Sequence, residues 1–264
     1  MTDTTTPRMA CSLLMVVLLT LGLAPSAQAR HFKVYGYSTL DPGEWELVYW
    51  TDYVARSQRT MDYFGQTGVA RQGLWSHTLE AEVGITDRFM VAAYFDFEQP
   101  PGEAFKYVQT RIVAARYRFG EPGEHFFDTA IYLEYYLPEV HYQNRPREKL
   151  ETRLILERQL ARSTLRINAN FEKITSGPDI DEGLEFGYGI SLYTPWSDRL
   201  SLGLEYYGGL GELAHVNPAA QKHYLVPALT WRFSKSLKWN VGVAAGLTDA
   251  SDDVVVKSLL EWEL

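Results

Sequence analysis

Six histidines, His31, His77, His125, His141, His215 and His223, are the first residues to weigh for metal or acid–base chemistry, and they lie scattered over separate segments. No pair has the spacing of a zinc site. His77 falls between Trp75 and Leu79 on an apolar face, whereas His215 and His223 flank one loop and could approach each other or His141. For nucleophilic catalysis the one Ser–His neighbour pair is Ser76-His77, and adjacent residues on a strand point to opposite faces. There is no G-x-S-x-G elbow, and Gly208-Gly209-Leu210-Gly211 is expected to open an outer loop, followed by neither the Lys nor the helix of a phosphate loop. The single cysteine, Cys11, supports neither an intramolecular disulfide nor a thiolate metal site. The expectation is therefore no catalytic residue, no metal and no cofactor.

What remains is charge placed at alternate positions. Taking the polar side of each alternating segment as inward gives thirteen acids: Glu46, Asp52, Glu80, Glu82, Asp96, Asp128, Glu134, Glu151, Glu157, Glu172, Glu185, Glu205 and Glu261. The same reading gives seven bases: Arg116, Arg118, Arg153, Arg166, Arg232, Lys238 and Lys257. Acids and bases partly alternate from strand to strand, which suits cross-strand ion pairs. The acid excess is left over, and low-dielectric walls lined with carboxylates concentrate cations. Glu80, Glu82, Asp96, Arg116, Arg118, Glu134, Arg153, Arg166, Glu185 and Glu205 are the candidate lumen-lining residues.

The elements that would position these groups are strands. From residue 43 onward, period-two alternation recurs in twelve segments: 43–56, 74–84, 88–98, 106–119, 126–137, 148–160, 163–175, 183–194, 198–208, 222–233, 236–248 and 253–264. Most exceed the usual strand of about 5–6 residues and match the roughly 9–11 tilted residues that cross a bilayer. The alternation is cleanest where Leu200, Leu202, Leu204 and Tyr206 oppose Ser201, Gly203 and Glu205; in 106–119, Arg111 breaks whichever face is taken as apolar. Long connections alternate with short ones, as in barrels with long outer loops and short inner turns. A soluble barrel or sandwich is the competing arrangement, but it would leave so long an apolar face without use.

Ahead of the strands, residues 9–23 form a short apolar run that leads to Ala27-Gln28-Ala29. This is the pattern of a cleaved secretory leader over 1–29. Residues 30–42, with Phe32, Val34, Tyr35 and Tyr37, form a segment expected to dock at the periplasmic mouth or inside the lumen, and residues 43–264 form the barrel. The 264 residues carry a net charge of -8, which argues against a nucleic-acid partner. Aromatics are unusually frequent, 36 in all, of which 17 are Tyr.

The leader, the twelve alternating segments and the final Leu260-Glu261-Trp262-Glu263-Leu264 together resemble a Gram-negative outer-membrane β-barrel protein of the poorly characterised porin and transporter-like kind. The turn Gly84-Ile85-Thr86-Asp87-Arg88-Phe89 is similar to a phrase common in that group. One departure is the last residue, Leu264, where such proteins usually end in an aromatic. The resemblance implies an all-β, transmembrane, antiparallel up-and-down barrel of about twelve strands in the cell outer membrane. It also implies the lipid bilayer and lipopolysaccharide as surroundings, and recognition of the last strand by the outer-membrane assembly machinery. The expected function is a passive channel or facilitator for small hydrophilic solutes, preferring cations. The alternatives are a barrel enzyme acting on envelope lipid, and a structural or adhesive surface protein.

Overall fold

The computed structural model describes residues 32–142 and 147–264; the expected leader lies outside the described residues. Twelve strands close into one antiparallel barrel: β1 (Trp45–Arg56), β4 (Trp75–Thr86), β5 (Phe89–Gln99), β6 (Lys106–Arg118), β7 (Asp128–Pro138), β8 (Glu148–Leu160), β9 (Ser163–Ser176), β10 (Glu185–Pro195), β11 (Leu200–Glu212), β12 (His223–Arg232), β13 (Leu237–Gly246) and β14 (Val254–Glu263). Each strand pairs with its neighbours in sequence, and β1 closes on β14 with Glu46 opposite Glu263 and Val54 opposite Val255. Closure leaves no free edge, the condition for strands to cross lipid. The first long loop is more ordered than the alternation implies. It folds as a hairpin, β2 (Thr60–Tyr63) and β3 (Gln66–Ala70), turning at Phe64 and Gly65, both with positive φ. The hairpin folds over the mouth, where Tyr63 donates to the Glu98 carbonyl at 3.0 Å and packs with Val108 and Tyr142.

Alternation decides the two faces. Along β1, Trp45, Leu47 and Tyr49 are exposed while Glu46, Val48, Trp50, Asp52 and Val54 are buried. The outer face is apolar in the same register on the other strands, with Leu79, Phe95, Leu133, Leu154, Leu192, Leu204 and Val243 among its exposed side chains. Aromatics gather near both ends of this band: Trp45, Trp196, Phe233 and Trp262 toward the short turns, and Trp75, Phe105 and Tyr107 toward the long loops. A flanking aromatic girdle is what two membrane interfaces select. His77 belongs to the girdle, stacked between Tyr49 and Trp75, with the Tyr49 hydroxyl 2.7 Å from Nδ1.

Arg111 is accommodated by a bulge. Against β7, Ile112 pairs with Tyr135 but Ala115 with Leu133, so β6 carries an extra residue between them. The slip shifts the phase of the strand. Arg111 and Arg116, five residues apart, consequently both turn inward and are both buried.

Inside the barrel, residues 32–42 run without joining the wall ladder, bending at Tyr37 and turning at Pro42. Wall side chains satisfy the backbone instead, as burial requires. Lys257 donates to the Phe32 carbonyl at 2.9 Å, and Asn168 both accepts from Tyr35 N at 2.7 Å and donates to its carbonyl at 3.0 Å. Arg116 donates to the Ser38 carbonyl at 2.9 Å. The segment leaves through the short-turn mouth, where Gly43 N donates to the Gly84 carbonyl at 2.9 Å. A Cβ at Gly84 would lie 2.1 Å from the Asp41 carbonyl oxygen, so only glycine allows this approach.

Candidate functional site

The functional interior is assembled from one inward-facing residue in two on every strand, with residues 32–42 laid across it. Glu80 accepts from Lys33 Nζ at 2.8 Å and from Trp50 Nε1 at 2.6 Å. Glu82, one rung lower on β4, accepts from Arg116 at 3.3 Å across β5, whose facing residue there is the small Ala92. Asp96 and Glu134 share Arg111, at 3.0 and 2.9 Å, and the guanidinium lies 4.2 Å from the Tyr94 ring centre. Arg153 donates to Glu151 and to Asn170. Arg166 donates to Glu157 at 2.7 Å. Glu205 accepts from Lys257 at 2.6 Å and also from the Tyr193 and Tyr207 hydroxyls. Buried charges survive only when paired and hydrogen-bonded, and each of these has a partner, although Arg116 Nε, Glu134 Oε2 and Arg153 Nη1 meet none among the described residues.

Two of the candidate residues stand apart from the web. Arg118 sits at the short-turn mouth, donating to the Asp87 and Gly120 carbonyls and to Glu121. Glu185 lines the opposite mouth, opposite Glu172 in register. The histidines at that mouth are occupied separately: His215 lies 3.2 Å from Glu212, and His223 lies 2.8 Å from Gln221. Ser76 falls on the register row of Asp52 and Glu98, while its neighbour His77 faces outward.

Sequence reasoning missed Arg111, Lys33, Lys149 and the polar Asn168. For Arg111 a signal existed, since a guanidinium on the lipid face is so costly that a phase slip in β6 is the cheaper solution. Lys33 carried no comparable signal, because an extended segment outside the ladder has no period to read. The glycines at 208–209 lie within β11 and do not open a loop; a Cβ at Gly208 would sit 2.3 Å from the His223 ring.

Above the crossing segment, toward the long loops, the lumen widens into a cavity of about 340 Å³. Its floor is Lys33, Tyr35, Trp50, Arg111 and Arg153, and its walls rise through Tyr136, Lys149, Glu172 and Glu185 to Tyr142, Arg147 and Gly183. Toward the same long-loop side, Phe32 packs edge-on against Tyr207 and Tyr224 at 5.1 and 5.0 Å, among Val54, Val226, Ala244 and Val255, and from there the segment descends to the short-turn mouth. The site thus offers a polar vestibule above a charged waist.

The same architecture occurs in solved outer-membrane channels. An outer membrane channel from Pseudomonas putida F1 has a TM-score of 0.57 at 10% identity, over 89% of this chain and 100% of that one. The KdgM porin in complex with disordered oligogalacturonate has a TM-score of 0.55 at 7% identity, over 82% of this chain and 98% of that one. At such identities the likeness is one of fold: the chain is a closed twelve-stranded barrel of the outer-membrane type. No protein-family profile matches the sequence, and no curated protein matches it.

Proposed function

We propose that the protein is a passive outer-membrane channel for small hydrophilic solutes, with a preference for cations and without a chemical step. The observation that carries this reading is the reversal of polarity across one wall: an apolar, aromatic-girdled exterior around a lumen whose inward groups are charged and which widens into a cavity of about 340 Å³. An inert structural barrel has no need of such a vestibule. The resemblance in fold to an outer membrane channel and to a porin supports the same choice. The apolar band would meet lipid and, in the outer leaflet, lipopolysaccharide, and the last strand would be what the assembly machinery reads.

For selectivity, Arg111, Lys33 and Lys149 add three bases to the inward groups and Glu98 adds one acid, so acid stays in excess. Toward the short-turn mouth Glu46, Glu261 and Glu263 converge on the single Lys238, which concentrates negative potential there. Planar-bilayer conductance of the refolded protein tests the channel, and the reversal potential in a KCl gradient tests its sign. Absence of conductance removes the channel reading; anion preference at neutral pH removes the cation arm alone.

A further inference from the structure

The two halves of the short-turn rim carry opposite charge. Its β8–β9, β10–β11 and β12–β13 turns read Arg158-Gln159-Leu160-Ala161-Arg162-Ser163, Trp196-Ser197-Asp198-Arg199-Leu200 and Phe233-Ser234-Lys235-Ser236-Leu237. They hold four cations, Arg158, Arg162, Arg199 and Lys235, against one acid, Asp198. Across the barrel the same rim is acidic, with Glu44, Glu121, Glu124, Glu261 and Glu263. Cations on that half are taken: Arg88 and Arg118 by Glu121 at 2.9 and 2.7 Å, and Lys238 by Glu46, Glu261 and Glu263. Among the described residues none of the four cations on the first half is ion-paired.

Arg158 is the informative member. On β8 it shares the outward side with Leu154, Leu156 and Leu160, of which Leu154 and Leu160 are exposed. A charge on the lipid face is costly at the midplane and tolerated at the interface. Arg158 Nη1 donates to the Phe126 carbonyl at 2.6 Å, and the guanidinium lies 4.5 Å from the ring centre of the exposed Phe126. A carbonyl orients the guanidinium without neutralising it. Its Nε and Nη2 bond to no described residue, and that fork matches two oxygens of a phosphate.

The neighbours place the row at headgroup depth. Trp196, Trp231 and Phe233 stand exposed on the same turns, and indoles concentrate at membrane interfaces. Strands lie about 4.8 Å apart, so successive turns are about 10 Å apart and the row runs about 20 Å around the rim. A soluble acidic partner could meet the turn cations, but it would leave Arg158 on the lipid side unmatched. Four cations against one acid favour a net negative headgroup over a zwitterionic one.

We propose that the β8–β13 half of the short-turn rim binds anionic phospholipid headgroups, whose phosphates accept from Arg158, Arg162, Arg199 and Lys235 beside the interfacial Trp196. The site goes beyond the channel reading and does not depend on conductance. The test is quenching of tryptophan fluorescence in the mature chain refolded into phosphatidylcholine vesicles. Brominated phosphatidylglycerol or brominated phosphatidylcholine is the quencher, at equal mole fraction. The Trp196 signal is the difference between the unaltered chain and Trp196→Phe. Phosphatidylglycerol is expected to quench it about threefold or more as effectively as phosphatidylcholine. That preference should vanish in about 1 M NaCl and in a combined Arg162→Gln, Arg199→Gln and Lys235→Gln variant, whose changes lie on exposed turns. Arg88→Gln, on the acidic half, should leave it intact. Equal quenching by the two lipids overturns the proposal and leaves the cations to a soluble acidic partner; a preference that survives the triple change overturns it as well. If the triple variant fails to fold, the salt titration of the unaltered chain decides, and a preference that persists in about 1 M NaCl overturns the site.

Discussion

The wall formed by β4 to β9 and the wall formed by β10 to β14 follow the same alternation, yet they line the lumen with different chemistry. The first turns Glu80, Glu82, Asp96, Arg111, Arg116, Glu134, Glu151 and Arg153 inward and pairs them in clusters, Arg111 with Asp96 and Glu134, Arg116 with Glu82, Arg153 with Glu151, and Glu80 with Lys33. The second turns in Tyr207, Tyr224, Val226, Ala244 and Val255, with one buried ion pair, Lys257–Glu205. The crossing segment explains the contrast. Phe32 leans on the second wall and needs an apolar seat, whereas Lys33 and Tyr35 face the first and need charge. A barrel interior is thus specified against whatever fills it as well as against water.

Removing one cation from each wall should have the largest effect. Arg111→Met takes the donor from Glu134 and one from Asp96, which keeps the Thr78 hydroxyl and the Gln109 amide, whereas Lys257→Met takes a donor from the Phe32 carbonyl and from Glu205, which keeps the Tyr193 and Tyr207 hydroxyls. Loss of one partner of a buried pair costs about 3–5 kcal/mol. Arg111→Met is expected near the top of that range and Lys257→Met near the bottom, as read by urea unfolding in detergent. Equal losses would mean that the web is no more cooperative than an isolated pair.

On the outer face, where both walls are alike, Leu204→Arg should cost about 2–4 kcal/mol if the site lies near the bilayer midplane. Leu204→Ile should assemble as the unaltered chain does. Folding yield into lipid vesicles checks this, and a tolerated arginine would deny that this face meets lipid.

Phe32→Ala addresses the seat on the second wall directly. Because residues 32–42 do not belong to the ladder, the loss should appear as undocking of the segment, with the barrel's unfolding midpoint changed little. Single-channel conductance is expected to rise severalfold. An unchanged conductance would show that the segment does not limit flow.

The smallest expected effect is one of pH, at the long-loop mouth. Burial works against the charge of Asp252, but the Arg71 guanidinium at 2.8 Å and the Ser57 hydroxyl at 2.6 Å hold its carboxyl below the usual range. A carboxyl depressed in the folded state adds stability above its ordinary pKa of about 3.9, and that stability is lost as pH falls through the folded value. Protection of the amides in residues 247–253, relative to their intrinsic exchange rates, should therefore fall below about pH 4. Asp252→Asn should exchange faster at neutral pH and lose that dependence.

Strand number and facing were legible because lipid outside and polar groups inside force a strict period of two over long strands, as in Leu200 to Tyr206. Glu80, Glu82, Asp96, Glu134 and Glu205 could be placed inward for the same reason. Their partners could not. Arg111 reached Asp96 only through a bulge, and Glu82 reached Arg116 over Ala92, because these choices depend on registers that alternation does not encode.

By itself, then, the sequence determined that each strand has one face for lipid and one for the interior, since a misplaced arginine on the lipid side costs more than any local preference can return. Tertiary structure alone decided which charges meet, where residues 32–42 lie and where the vestibule opens. Those depend on barrel closure, which brings Lys33 to Glu80 and Lys257 to Glu205, pairs 47 and 52 residues apart in the chain.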